Sequence, residues 1–396
     1  MYFESKRKSE CFGCTACEQV CPCRCIEMQY DEDGFLFPVM VSPDDCSHCK
    51  RCQKVCPFCP EKTEDGNVPR CYYGWHTDSE TRKGSTSGGA FIAISQVCEQ
   101  LGYSHFYGAV YTEHHRVCHV GSGSARRLGK MQSSKYVQSD LGECYSTIEK
   151  LLRKGDKVVF SGTPCQAVGL QNYVGEMREN LFTLSLVCHG VASPGAFGKY
   201  LMETEKKYKG KIDSVRFRDK RKKDGELSHR FTTITMKDGT IFADTDNPYI
   251  TAFGMGLMQR KICFSCPYTT PYRNTDITIG DFWGIEENKP ELKCEVSKGI
   301  SMILAHTKKG KELAGRLWQR MNIEEVPMEW ALHERQPNLK LPMGYNPRRD
   351  QFLRKILRGN QSFAKVARYE ILRWRVRKYC YRLKRKKNIQ TDERVA

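Results

Sequence analysis

The chain has 396 residues, 39% of them hydrophobic, with 21 cysteines and a formal net charge of +18. That length suits two or three domains with a real core, and no run of eighteen apolar residues exists, so no transmembrane helix is expected. Between residues 348 and 388 sixteen Lys or Arg face only Asp350 and Glu370, which places 14 of the 18 charges in one C-terminal stretch; the body is near neutral, and no case arises for specific nucleic-acid binding.

The first ten residues, MYFESKRKSE, lack the apolar stretch of a secretion signal. So many cysteines without such a signal point to a reducing cytoplasm and to metal ligation rather than disulfides. Cys11, Cys14, Cys17 and Cys21 then precede Pro22, and Cys46, Cys49, Cys52 and Cys56 precede Pro57. Each run reads C-x2-C-x2-C-x3-C-P, the spacing of a two-cluster bacterial ferredoxin, in which three thiolates wrap one cubane and the fourth reaches the other. Cys11, Cys14, Cys17 and Cys56 are therefore assigned to one 4Fe–4S cluster, and Cys46, Cys49, Cys52 and Cys21 to the second. Zinc fits less well, because it favours two C-x2-C pairs. Cys23, Cys25 and Cys59 read as bystanders, and the apolar Phe35-Leu36-Phe37-Pro38 between the halves can cover the clusters.

Residues 61–69 (EKTEDGNVP) break periodicity and read as a linker. The texture beyond is α/β. Helices are expected at 88–101, at 142–154, after Pro164, at 194–207 and at 308–321; strands are expected at 106–111, 157–161, 181–187 and 300–306. Residues 230–244 alternate around Asp238-Gly239 as a hairpin. Strands alternating with helices predict a βαβ core.

Four cysteines stand apart: Cys165 and Cys188, each following a strand, and the pair Cys263 and Cys266. Their number suits one more cluster, while a redox pair, half a zinc site or plain buried thiols remain open from spacing alone. Ser85, Ser87, Gly88 and Gly89 precede a helix and suit a cofactor pyrophosphate at its N-terminus, with Lys135 adding charge; an ordinary capped helix start is the simpler reading. Gly280 and Asp281 lie in DITIGDFWG, either a site loop or a packed corner. His189, beside Cys188, is the candidate proton carrier, set against a structural hydrogen-bonding role.

Together, RKGSTSGGAF at 82–91, MQSSKYVQS at 131–139, FSGTPCQ at 160–166, CHGVASP at 188–194, FR at 217–218, CFSCPY at 263–268 and DITIGDFWG at 276–284 resemble the coenzyme F-420 hydrogenase/dehydrogenase beta-subunit family, in the form with a fused N-terminal dicluster ferredoxin. The resemblance runs from Cys11 to Trp330. It implies FAD in the α/β part, with Ser85, Ser87, Gly88, Gly89, Lys135, Gly162, Thr163 and Pro164 helping to bind it. It also implies a third 4Fe–4S cluster on Cys165, Cys188, Cys263 and Cys266. The flavin of that family exchanges a hydride with a 5-deazaflavin and single electrons with the clusters. Members also occur where no deazaflavin is made, some beside genes for surface-polysaccharide synthesis. A nicotinamide, a glycan precursor or ferredoxin thus stands beside F-420 as the partner to expect.

The fold class expected is an α+β ferredoxin module (1–65), then an α/β flavin-binding domain in two parts (66–155 and 156–330), then a basic helical C-terminal tail (331–396). In the tail Val366, Tyr369, Leu372, Val376, Tyr379 and Leu383 recur at three- and four-residue steps, amid many Lys and Arg. Such a helix suits an anionic membrane surface or an acidic partner, against docking on its own protein. The expected location is the cytoplasm, with the inner face of the membrane as the tail's target. The function expected is an iron–sulfur flavoprotein oxidoreductase with a redox protein and a hydride-carrying small molecule as partners. The alternatives are a non-catalytic electron-transfer subunit and a redox component of polysaccharide biosynthesis.

Overall fold

The computed structural model describes residues 2–58, 68–112, 115–223 and 226–392. Most of the stretch read as a linker, and Cys59, lie outside these residues.

The N-terminal module holds two one-turn helices, Ala16–Gln19 and Arg51–Lys54, and an antiparallel pair, β1 (Ile26–Tyr30) with β2 (Leu36–Met40). Each one-turn helix begins after a cysteine loop whose preceding residue, Thr15 or Lys50, has positive φ. The repeat in sequence is thus a repeat in backbone. Phe35 and Phe37 are buried against Cys11, as the apolar stretch suggests.

The α/β body is built on one eight-stranded sheet. Its strands are β3 (Arg70–His76), β4 (His105–Tyr111), β5 (Val117–Ser122), β6 (Val158–Gly162), β7 (Leu181–Leu186), β11 (Ile277–Asp281), β12 (Ser301–Ala305) and β13 (Met321–Val326). A separate three-stranded antiparallel sheet contains β8 (Ile212–Lys223), β9 (Glu226–Met236) and β10 (Ile241–Asp244). The large sheet runs β13-β3-β12-β11-β7-β6-β4-β5, with β4, β6, β7 and β11 parallel and antiparallel strands on both flanks. Central strands such as β7 and β12 are buried almost throughout, so they read as apolar runs instead of alternating. The helices are α1 (Ala90–Gln100), α2 (Cys144–Arg153), α3 (Pro164–Val174), α4 (Pro194–Tyr208), α5 (Pro248–Gly254), α6 (Lys308–Ala314) and α7 (Phe363–Asp392).

Two expectations change. The helix at 308–321 stops at Ala314, and Met321 opens β13, whose pairing with β3 overrides local helix preference. The tail is not wholly an appendage: Phe352, Leu353, Ile356, Phe363, Val366, Ala367 and Ile371 are buried, most of them in the core with α4 and α5. Of the apolar positions expected to share one stripe, Val366 faces this core, while Tyr369, Leu372, Val376 and Tyr379 are exposed. At 100° per residue those four lie across the helix from Phe363, Val366 and Glu370.

Candidate functional site

The parallel order β11-β7-β6 brings three strand ends to one edge of the sheet, the edge at which open α/β sheets bind ligands. Thr163, Cys188 and Asp281 leave from these ends. Above them lies a cavity of about 600 Å³. Ser85, Ser87, Gly89, Lys135, Gly162, Thr163, Gly280, Asp281 and His189 all line it. Gly88 lies behind the wall, where a Cβ would meet the Gly74 carbonyl oxygen at 2.5 Å. Sheet packing therefore demands that glycine whatever occupies the cavity. Pro164 lines the neighbouring pocket, at the first turn of α3, whose N-terminus is closed by a Thr163–Gln166 capping box.

Two loops form one side of the cavity and are stitched together. The Ser134 N–H donates to Thr86 Oγ1 (2.9 Å), and Gln132 Nε2 donates to Ser85 Oγ (2.7 Å). Ser87 Oγ donates to the Ile300 carbonyl (2.8 Å). Lys135 Nζ donates into the carbonyls of Lys130, Met131, Gln132 and Ser133 at 2.8–3.1 Å. Burial, then Arg216, pushes that ammonium down to about 7. Its protons are spent on its own loop, so it braces the wall. Across the cavity Arg218 forms a bidentate pair with Asp281 and lies 5.1 Å from the Trp283 ring. Burial pushes His189 down, with Asp281 and Arg218 acting on it in opposite directions, so a neutral imidazole faces the cavity.

Cys165, Cys188, Cys263 and Cys266 surround a second, smaller pocket. It shares Thr163, Cys188, His189, Gly190 and Val191 with the large cavity. Burial pushes the Cys263 thiol up to about 12 and Cys266 to about 11. Thiols so placed ionise only beside strong positive charge, which metal ligation supplies. Buried Arg273 lies beside Cys188 and Cys266 and acts on both as a cation.

In the N-terminal module Cys11, Cys14, Cys17, Cys52 and Cys56 line a third pocket. Burial, with Cys56 and Cys11 adding to it, raises Cys14 to about 12; Cys17 is raised by burial and by Cys14, Cys11 and Cys56. The set Cys11, Cys14, Cys17 and Cys56 is thus one neighbourhood. Cys21 and Cys49 act on Cys52, the signature of the other. Cys25, read as a bystander, places its Sγ 3.4 Å from Cys21 Sγ, so a fifth thiol sits at the second site. Among the described residues no three His, Cys, Asp or Glu side chains converge as around a single ion.

The module is held on the body at its first cysteine loop. Gln138 Nε2 donates to the Phe12 carbonyl (2.8 Å), Tyr268 Oη to the Pro57 carbonyl (2.5 Å), and Phe12 packs on the Tyr268 ring at 5.6 Å. A Cβ on Gly169 of α3 would stand 3.4 Å from Cys14 Sγ. Cys165 sits one turn earlier on that helix, about 6 Å along its axis. Gln138 and Arg218 fall within quoted motifs without a role having been read for them, and motif reading missed Arg260 and Arg273, because each acts through a partner remote in sequence.

Residues 10–59 match the 4Fe–4S dicluster domain, which supports two 4Fe–4S clusters here. Residues 155–330 match the C terminus of the coenzyme F420 hydrogenase/dehydrogenase beta subunit. No curated protein matches the chain. Among solved structures, a chain of the F420-reducing [NiFe] hydrogenase complex from Methanosarcina barkeri is similar at 16% identity and a TM-score of 0.45, over 79% of this chain and 95% of that one. The chain thus joins a segment similar to the 4Fe–4S dicluster domain to one similar to the C terminus of the coenzyme F420 hydrogenase/dehydrogenase beta subunit.

Proposed function

We propose that the chain is an iron–sulfur flavoprotein oxidoreductase, moving electrons between a hydride carrier at the large cavity and a redox protein at the N-terminal module. The observation that carries this reading is the succession of sites. The cavity shares a wall with the four-cysteine pocket, and Phe12 lines both that pocket and the first site of the module.

FAD when bound takes up a hydride pair and gives single electrons, which 4Fe–4S clusters carry onward. The protein's share is to hold and insulate. Ser85, Ser87, Gly89, Gly162, Thr163 and Gly280 line the cavity for FAD, with Lys135 bracing one wall and the Arg218–Asp281 pair fixing the opposite wall. Gly88 and Pro164 shape that site from behind. His189 is the proton carrier at the shared wall. Cys165, Cys188, Cys263 and Cys266 hold a third cluster; Cys11, Cys14, Cys17 and Cys56 hold the first of the module and Cys21, Cys46, Cys49 and Cys52 the second. The hydride carrier is a 5-deazaflavin or a nicotinamide, both flat rings that can lie against a flavin.

Anaerobic purification with assay of iron, sulfide and flavin tests this. About twelve irons and one FAD per chain are expected. About eight irons without flavin would leave a non-catalytic electron-transfer subunit and would overturn the reading of the cavity.

A further inference from the structure

Arg260 is 1% exposed and belongs to the α/β body, three residues before Cys263. Its guanidinium enters the N-terminal module. Nε donates to the Cys11 carbonyl (2.7 Å), Nη2 to the Leu36 carbonyl (2.8 Å) and to Cys11 Sγ (3.3 Å), and Nη1 to Gln138 Oε1 (3.1 Å). Its plane lies 4.0 Å from the Phe37 ring centre. Gly13, at φ +64, leaves the space: a Cβ there would meet Nη1 at 2.6 Å.

These acceptors include no carboxylate, and among the described residues none forms an ion pair with Arg260. Arg349, equally buried, pairs with Asp33 and Asp350. A guanidinium withdrawn from water without a counter-ion is strongly unfavourable, and the acceptor it touches that can carry full negative charge is the sulfur of Cys11. A thiolate-ligated cubane is anionic. A fixed cation and an N–H···S donor both favour its gaining one more electron.

We propose that Arg260 is the buried counter-charge of the iron–sulfur centre held by Cys11, and that it raises the reduction potential of this centre while the module is docked. This rests on Cys11 being a ligand of the dicluster domain. Arg260 acts through Cys11 and is a positioning residue.

The test is an EPR-monitored potentiometric titration of the full-length, anaerobically purified chain with Arg260→Gln and Arg260→Lys. In Arg260→Gln the reduced-to-oxidised ratio of one dicluster centre at fixed potential falls about tenfold, ~59 mV for one electron, while the other centre does not move. Arg260→Lys, which keeps charge but loses the fork, shifts the same centre the same way by less. Should the glutamine variant shed iron, the lysine variant carries the test. A purely structural role lowers the unfolding midpoint or the iron content and leaves the potential of retained centres alone; unchanged potentials in a variant with full iron overturn the proposal. Absence of two 4Fe–4S signals from the parent chain would instead bring down the dicluster reading, and the proposal with it.

Discussion

Two buried histidines set an acid limit on this fold. His119 donates from Nε2 to the Ser161 carbonyl (3.0 Å), and His306 Nε2 meets Thr278 Oγ1 at 2.8 Å; in each the Nδ1 atom has no partner. Burial pushes His119 down to about 4 and His306 to about 3. A lowered folded value means that the unfolded chain binds more protons below pH 6.5, so stability rises with pH across this window and is lost as pH falls from about 6.5 toward 4. At pH 5 each histidine is expected to cost on the order of 2 kcal/mol relative to pH 7. Denaturant unfolding at both pH values checks this, with His119→Leu removing about half of the difference. Asp281→Asn leaves Arg218 without its ion-pair partner and is expected to cost about 2 kcal/mol in the same assay. The dicluster domain was legible because the spacing of its cysteines is local, although the place of Cys25 beside Cys21 was not. Arg260 was not, since its partner Cys11 lies 249 residues away and no pattern around it announces the contact.

Among the elements, α3 shows what sequence reading captured and what it missed. Pro164 and Thr163 announced its start, and the strand before it was read correctly. Its reverse face was silent, because a glycine at residue 169 looks like a helix weakness until Cys14 is seen against it. Gly169→Val is expected to push the first cysteine loop away and to lower iron per chain while the body remains folded, as iron assay and circular dichroism would show. The C-terminal helix was legible as basic and amphipathic, yet the apolar face that docks on the body, at Phe363, Val366, Ala367 and Ile371, was not separated from the exposed one. Phe363 is fully buried, and Phe363→Ala is expected to cost about 3–5 kcal/mol in denaturant unfolding. Beyond Ile371, exposed Leu372, Trp374, Val376 and Tyr379 stand among Arg and Lys, which suits an anionic lipid surface. A chain ending at residue 371 is expected to lose sedimentation on anionic vesicles; retained sedimentation would assign the stretch another role.

For the whole molecule, the alternation of strands and helices predicted the α/β class, but not the antiparallel flanks. β3 and β13 come from opposite ends of the body and pair only through long-range register. That closure also explains why the cavity draws walls from residues 85 to 343, a span no local motif could disclose. The three cysteine neighbourhoods differ in their access to solvent. Cys11 and Cys14 are buried, Cys165 is partly covered like Cys21, Cys46 and Cys52, and Cys49 is exposed. Dissolved oxygen therefore meets the protein at its outer end first. Air would then erode the centre beside Cys49 before the one beside Cys11 and Cys14, leaving a preparation that keeps part of its iron and of its colour.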